Sequence, residues 1–124
     1  MNAPRRPSFL FRDDLGSGTL LGVMLIAVVG LMLAAGASAG NLLICQAKAR
    51  ASADLSAVSS ASALRAGAED PCALAASVAT ANGSGLVSCE VVGEDVSVRV
   101  SVATLVPFAP EVSRAARAGP VACR

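Results

Sequence analysis

Four cysteines, Cys45, Cys72, Cys89 and Cys123, are the residues of this chain best equipped for chemistry. Their separations of 27, 17 and 34 residues match no zinc or haem spacing, and the sequence has no histidine to complete a metal site. What remains to them is oxidation to cystine. A bridge from Cys72 to Cys89 would staple a short helix to a strand. Closing a loop of that length is worth about 3 kcal/mol by chain entropy. Buried free thiols are the plain alternative to this bridge. Pairing of Cys45 with Cys123, or between molecules, stays open. Any bridge requires an oxidising compartment.

The other reactive types are poorly placed. The many serines have neither a histidine nor a lysine base at motif spacing, so no nucleophilic site emerges. No glycine-rich loop follows a strand to cradle a phosphate. Asp13 and Asp14 read as exposed charges near a helix start. Trp, Tyr and His are absent and the net charge is +1, which excludes base-stacking platforms and a basic nucleic-acid footprint. The expectation is a protein that is not an enzyme. It carries no catalytic, cofactor-binding or metal-binding residue, and takes no nucleic acid or small-molecule substrate.

The elements that position these residues begin with an apolar run. The chain has 124 residues, a mean hydropathy of +0.64 and only 15% charged residues. That is too apolar for an ordinary soluble domain. The apolarity is concentrated, for no charged side chain occurs in the 33 residues from Leu15 to Ala47. A bilayer-spanning helix needs about 20 apolar residues, and the segment Thr19 to Ile44 supplies 26. Its Leu, Ile and Val residues favour insertion by roughly 0.3–0.6 kcal/mol each near mid-span.

An export signal competes with the anchor. Arg5, Arg6 and Arg12 form a basic leader, and Ala37-Ser38-Ala39 fits the small-residue pattern before a cleavage site. The apolar character, however, runs past that cut through Leu42, Leu43 and Ile44. A signal core is normally about 7–15 residues. A lipoprotein cut before Cys45 is disfavoured by Ile44, where a small residue is required. The anchor is therefore the primary reading, and a small secreted binding domain cut after Ala39 is the alternative. Three basic residues before the span and two after it (Lys48, Arg50) bias the N-terminus to the cytoplasm. Gly18/Gly22 and Gly36/Gly40 have the G-x-x-x-G spacing that lets membrane helices approach closely.

Beyond the span, "QAKARASADLSAVSSASALRAG" continues the helix with good formers and no proline. Ala51, Leu55 and Val58, with Ala61 and Leu64 slightly offset, define its expected apolar stripe. "EDPCALAASVATANG" predicts a short helix capped by Asp70, with Pro71 at its first position and Asn82-Gly83 at its exit. "LVSCEVV" and "VSVRVSVATLV" around "GED" predict a β-hairpin. Val96, Val98, Val100 and Val102 alternate with Ser97, Arg99, Ser101 and Ala103, so one face should be buried, packed on the helix stripe. The tail fits a turn of helix or an edge strand equally. The organisation is then a cytoplasmic leader (1–14), a transmembrane helix (15–46), its extracytoplasmic continuation (47–66) and a small α+β domain (67–124).

This layout resembles the TadE-like proteins of Tad (Flp) pilus systems. The basic leader, "GSGT" opening an apolar helix, "QAKARASADLSAVSSASAL" continuing it and the small β domain carry the resemblance. "ADLSA", "DPCALAASVATANGSGLVSCEV" and "ARAGP" point more narrowly to a small actinobacterial branch found in helicase and secretion neighbourhoods. The resemblance implies a pilin-like fold and a minor pseudopilin-like subunit or assembly factor. Its partners would be the cell membrane and other pilus or secretion-system subunits, with the C-terminal domain extracytoplasmic. It also implies a leader-peptidase site between Gly16 and Ser17. Pilin-type helices carry Glu at the fifth mature position; counted from Ser17, this chain has Leu21.

Overall fold

The computed structural model describes residues 9–121, with side chains described from residue 16. Arg5, Arg6 and Cys123 lie outside the described residues, as do the side chains of Arg12, Asp13 and Asp14. The fold is α+β. Helix α1 spans Phe9–Arg65, α2 Pro71–Ala81, and strands β1 Gly85–Val92, β2 Asp95–Ala103 and β3 Glu111–Ala118 follow. The chain divides into two compact units, residues 1–37 and 38–124.

In the first unit α1 runs as uninterrupted helix. It begins at Phe9 rather than at the expected start of the span, because no proline follows Pro7 to stop helix formation. Among the described side chains of this unit the large apolar ones, such as Leu20, Ile26, Leu31 and Leu33, are exposed. The helix is long and apolar enough to cross a membrane, and the apolar part lies near the N-terminus.

In the second unit the last third of α1 packs against an antiparallel sheet of order β1-β2-β3. The tail thus supplies an edge strand. Glu111–Ala118 pairs with β2 from Ala103↔Glu111 to Val96↔Ala118. Val92 and Asp95 close the β1–β2 hairpin around Gly93, whose φ of +63° at the first turn position suits the type II′ geometry that demands glycine. A bulge between Leu86 and Ser88 interrupts the register of β1.

The central strand behaves as its alternation predicts. Val96, Val98, Val100 and Val102 are buried. The helix face they meet is different from the one expected. Ala49, Ala53, Ala57 and Ala61 are buried at i, i+4 spacing, with Ser52, Ser56 and Ser60 beside them. Ala51, Leu55 and Val58 are exposed on the opposite side, whereas Ala61 and Leu64 do pack on the core. The physical reason is room. Helix α1 is met both by the valines of β2 and by Ala75 and Ala79 of α2 in one cluster. A Leu or Val on that face would hold the layers apart, and cores at native density leave no such gap. The small residues let the backbones close, and the larger ones are left outside.

Helix α2 is capped as predicted. The Asp70 carboxylate accepts a hydrogen bond from the Ala73 N–H at 3.1 Å, Pro71 opens the helix, and Gly83 follows the Asn82 cap at φ +71°. The Ser52 and Ser84 hydroxyls hydrogen-bond to each other and fasten the segment after α2 to α1.

Candidate functional site

Two features of the fold have functional meaning, the disulfide-stapled domain and the bare apolar helix. In the domain, Cys72 is the second residue of α2 and Cys89 lies in β1. Their Cα atoms are 5.8 Å apart and the two residues form a disulfide. The local sequence explains the placement: the Asp70 cap and Pro71 fix where α2 starts, so Cys72 sits in the first turn, beside the strand that α2 covers. A core made of alanine, serine and valine buries little apolar surface, and a covalent link compensates for such a core in a small domain.

Cys45 is a buried free thiol. Its Sγ donates weakly to the Ala103 carbonyl at 3.7 Å and to Asn41 Oδ1 at 3.8 Å. It joins Ala49 and Val102 in a second small cluster, against which Val112 packs. The expected alternative partner, Cys123, is outside the described residues.

On the apolar helix, Gly16, Ser17, Gly18 and Gly36 are exposed, and Gly22 and Gly40 are partly exposed. A Cβ built at any of these glycines would meet nothing within 4 Å. The two G-x-x-x-G pairs therefore have no packing partner within the described chain. Around Gly30 the missing side chain leaves a shallow apolar depression bounded by Leu25, Ile26, Val29 and Leu33.

An open groove of about 600 Å³ lies between α1 and β3. Leu43, Gln46, Arg50, Asp54 and Arg114 line it, and the Arg114 guanidinium donates to Gln46 Oε1 at 3.1 Å. Sequence reading did not single out this groove, because it joins residues 64 positions apart whose types are individually ordinary surface polars. Among the described residues no three His, Cys, Asp or Glu side chains come together as a metal site.

The fold and these surfaces define a class: a small α+β domain, closed by one disulfide, carried on an apolar helix long enough to span a bilayer. None of the protein-family models, curated proteins or solved structures compared with the chain matches it.

Proposed function

We propose that this protein is a structural component of a Tad/Flp-type pilus or a type IV-pilus-related secretion apparatus, a minor pseudopilin-like subunit held by its N-terminal helix. The observation that carries the reading is the change of character along one unbroken helix. From residue 16 to Ile44 its large apolar side chains, except the partly buried Leu42, are exposed, and from Cys45 on it supplies the inner face of a folded domain. Such a helix exchanges lipid contacts for helix–helix contacts when subunits assemble, with no side-chain chemistry involved. The open glycine pairs Gly18/Gly22 and Gly36/Gly40 suit close approach of neighbouring helices.

The cystine supports an extracytoplasmic domain, since cytosolic thiols are kept reduced. The leader's basic residues support a cytoplasmic N-terminus. On this reading the protein is a single-pass membrane component whose partners are lipids and other subunits, and it catalyses nothing.

A second reading has its own support. The compact unit begins at Ser38, so a signal cut after Ala39 would leave every buried core residue in place. That product would carry Leu43 and Ile44 exposed near its new N-terminus, 67% and 69% accessible.

N-terminal sequencing of protein from cells separates the readings. An intact leader indicates a plain anchor, a start at Ser17 indicates pilin-type processing, and a start at Gly40 indicates secretion. Crosslinking in native membranes, followed by identification of the captured neighbours, tests the pilus assignment. Capture of no secretion or pilus subunit by a membrane-embedded chain would overturn it.

A further inference from the structure

The segment between β2 and β3, Thr104–Pro110, is an unusual loop. It carries no charged residue, yet it presents Leu105 at 88% and Phe108 at 77% exposure. Phe108 is the sole aromatic side chain after residue 11. The loop is nonetheless firmly built. Val106 is buried, the Thr104 N–H donates to the Pro110 carbonyl at 2.9 Å, and the Ala109 N–H donates to the Val106 carbonyl at 3.2 Å. The Thr104 hydroxyl donates to the Ala109 carbonyl and accepts from the Val106 N–H. With Val106 seated inside, its neighbours Leu105 and Phe108 are held out in solvent, which is costly unless something covers them.

The position of the loop indicates what covers it. Strand β2 runs antiparallel to α1: Val96, Val98 and Val100 cluster with Ala53, Ala57 and Ala61, whereas Val102 meets Cys45 and Ala49. The end of β2 therefore lies beside the start of the domain's helix. The Leu105 N–H donates to Asn41 Oδ1 at 3.0 Å. Asn41 is immediately followed by Leu42, Leu43 and Ile44, the last residues of the apolar run, with Leu43 and Ile44 exposed. Leu105 and Phe108 thus extend the same apolar surface sideways at the level where the helix would leave the hydrocarbon. Lys48, Arg50 and Arg114 come later along the helix and the returning strand, where headgroup phosphates would lie.

We propose that the Thr104–Pro110 loop is a second membrane contact, seating the domain on the bilayer by inserting Leu105 and Phe108 at the boundary between headgroups and acyl chains. The occupant of this surface is lipid, and the contact is apolar. This rests on the membrane-anchored reading. Interfacial apolar side chains of such a kind lie about 5–10 Å into the boundary.

The chain contains neither Trp nor Tyr, so one introduced Trp is an unambiguous reporter. The test uses the full chain reconstituted into phosphatidylcholine vesicles, with or without bromine on the upper acyl chain. Phe108→Trp is expected to emit at short wavelength and to lose about half its emission or more to bromines at that ~5–10 Å depth. Leu55→Trp, exposed higher on α1, is expected to emit at long wavelength and to be unaffected. Leu25→Trp reports on the anchor itself through bromines deeper in the chain.

Quenching at position 25 without quenching at position 108 overturns the proposal and leaves the anchor standing. Blue-shifted but unquenched emission at position 108 overturns it too, since protein rather than lipid would then cover the loop. Absence of quenching at position 25 removes the anchor, and the proposal with it.

Discussion

Cys72 and Cys89, seventeen residues apart in sequence, join the first turn of α2 to the middle of β1 through a disulfide. Helix α2 rests on β1, and its alanines reach the same cluster as α1. The bond therefore ties two of the three layers of a thin core. Replacing both cysteines by serine is expected to lower stability by about 3 kcal/mol from the loss of loop closure. Denaturant unfolding of the full chain in detergent, followed by circular dichroism, measures this. An unchanged midpoint would mean that the bond closes a loop already ordered in the unfolded chain.

The helix face chosen by the fold yields a paired prediction. Ala53 and Ala57 are fully buried, whereas Leu55 between them is half exposed. Ala53→Leu should cost about 1–3 kcal/mol by overpacking, and Leu55→Ala should change stability by no more than about 0.5 kcal/mol. The reverse order would restore the face that hydrophobic size alone suggests.

The serines on that face differ among themselves. Ser60 donates to the Ser56 carbonyl at 2.6 Å and Ser52 pairs with Ser84, but Ser56 Oγ is buried without a partner among the described residues. Removing an unpaired buried hydroxyl relieves a desolvation penalty, so Ser56→Ala should stabilise by about 1 kcal/mol. Ser52→Ala should instead cost about 0.5–1.5 kcal/mol, the net value of a buried hydrogen bond. The same unfolding measurement ranks the two.

Asn41 tethers the apolar loop through the Leu105 N–H. Asn41→Ala should free that amide and raise its hydrogen-exchange rate by about fivefold, the equivalent of roughly 1 kcal/mol. Mass spectrometry of the loop peptide reads the change. Exchange of β2 amides, held by strand pairing on both sides, should stay as it was.

The α2 cap gives a local test. Asp70→Ala removes the acceptor for the Ala73 N–H and should cost about 0.5–2 kcal/mol. Asp70→Asn, which keeps an acceptor oxygen, should recover most of it, as followed by thermal unfolding.

Much of this architecture is written in local sequence. The uncharged run from Leu15 to Ala47 dictates a bilayer-length apolar helix because hydropathy is a property of composition. Asp70, Pro71 and Asn82-Gly83 delimit α2 through capping and backbone preference, which act within a turn. The alternating valines of β2 declare their buried face because a strand has period two. Even Cys72–Cys89 was legible, once the two elements carrying them were placed.

Tertiary structure decided the rest. Which face of α1 is buried followed from the space between β2 and α2, so alanine and serine went inside and Leu55 and Val58 stayed out. Whether the tail formed a strand depended on the open edge of β2, a partner absent from the tail's own pattern. The groove between Arg50 and Arg114, and the meeting of Leu105 with Asn41, join residues more than sixty positions apart. No local propensity encodes such contacts; they exist only once the layers have closed around one another.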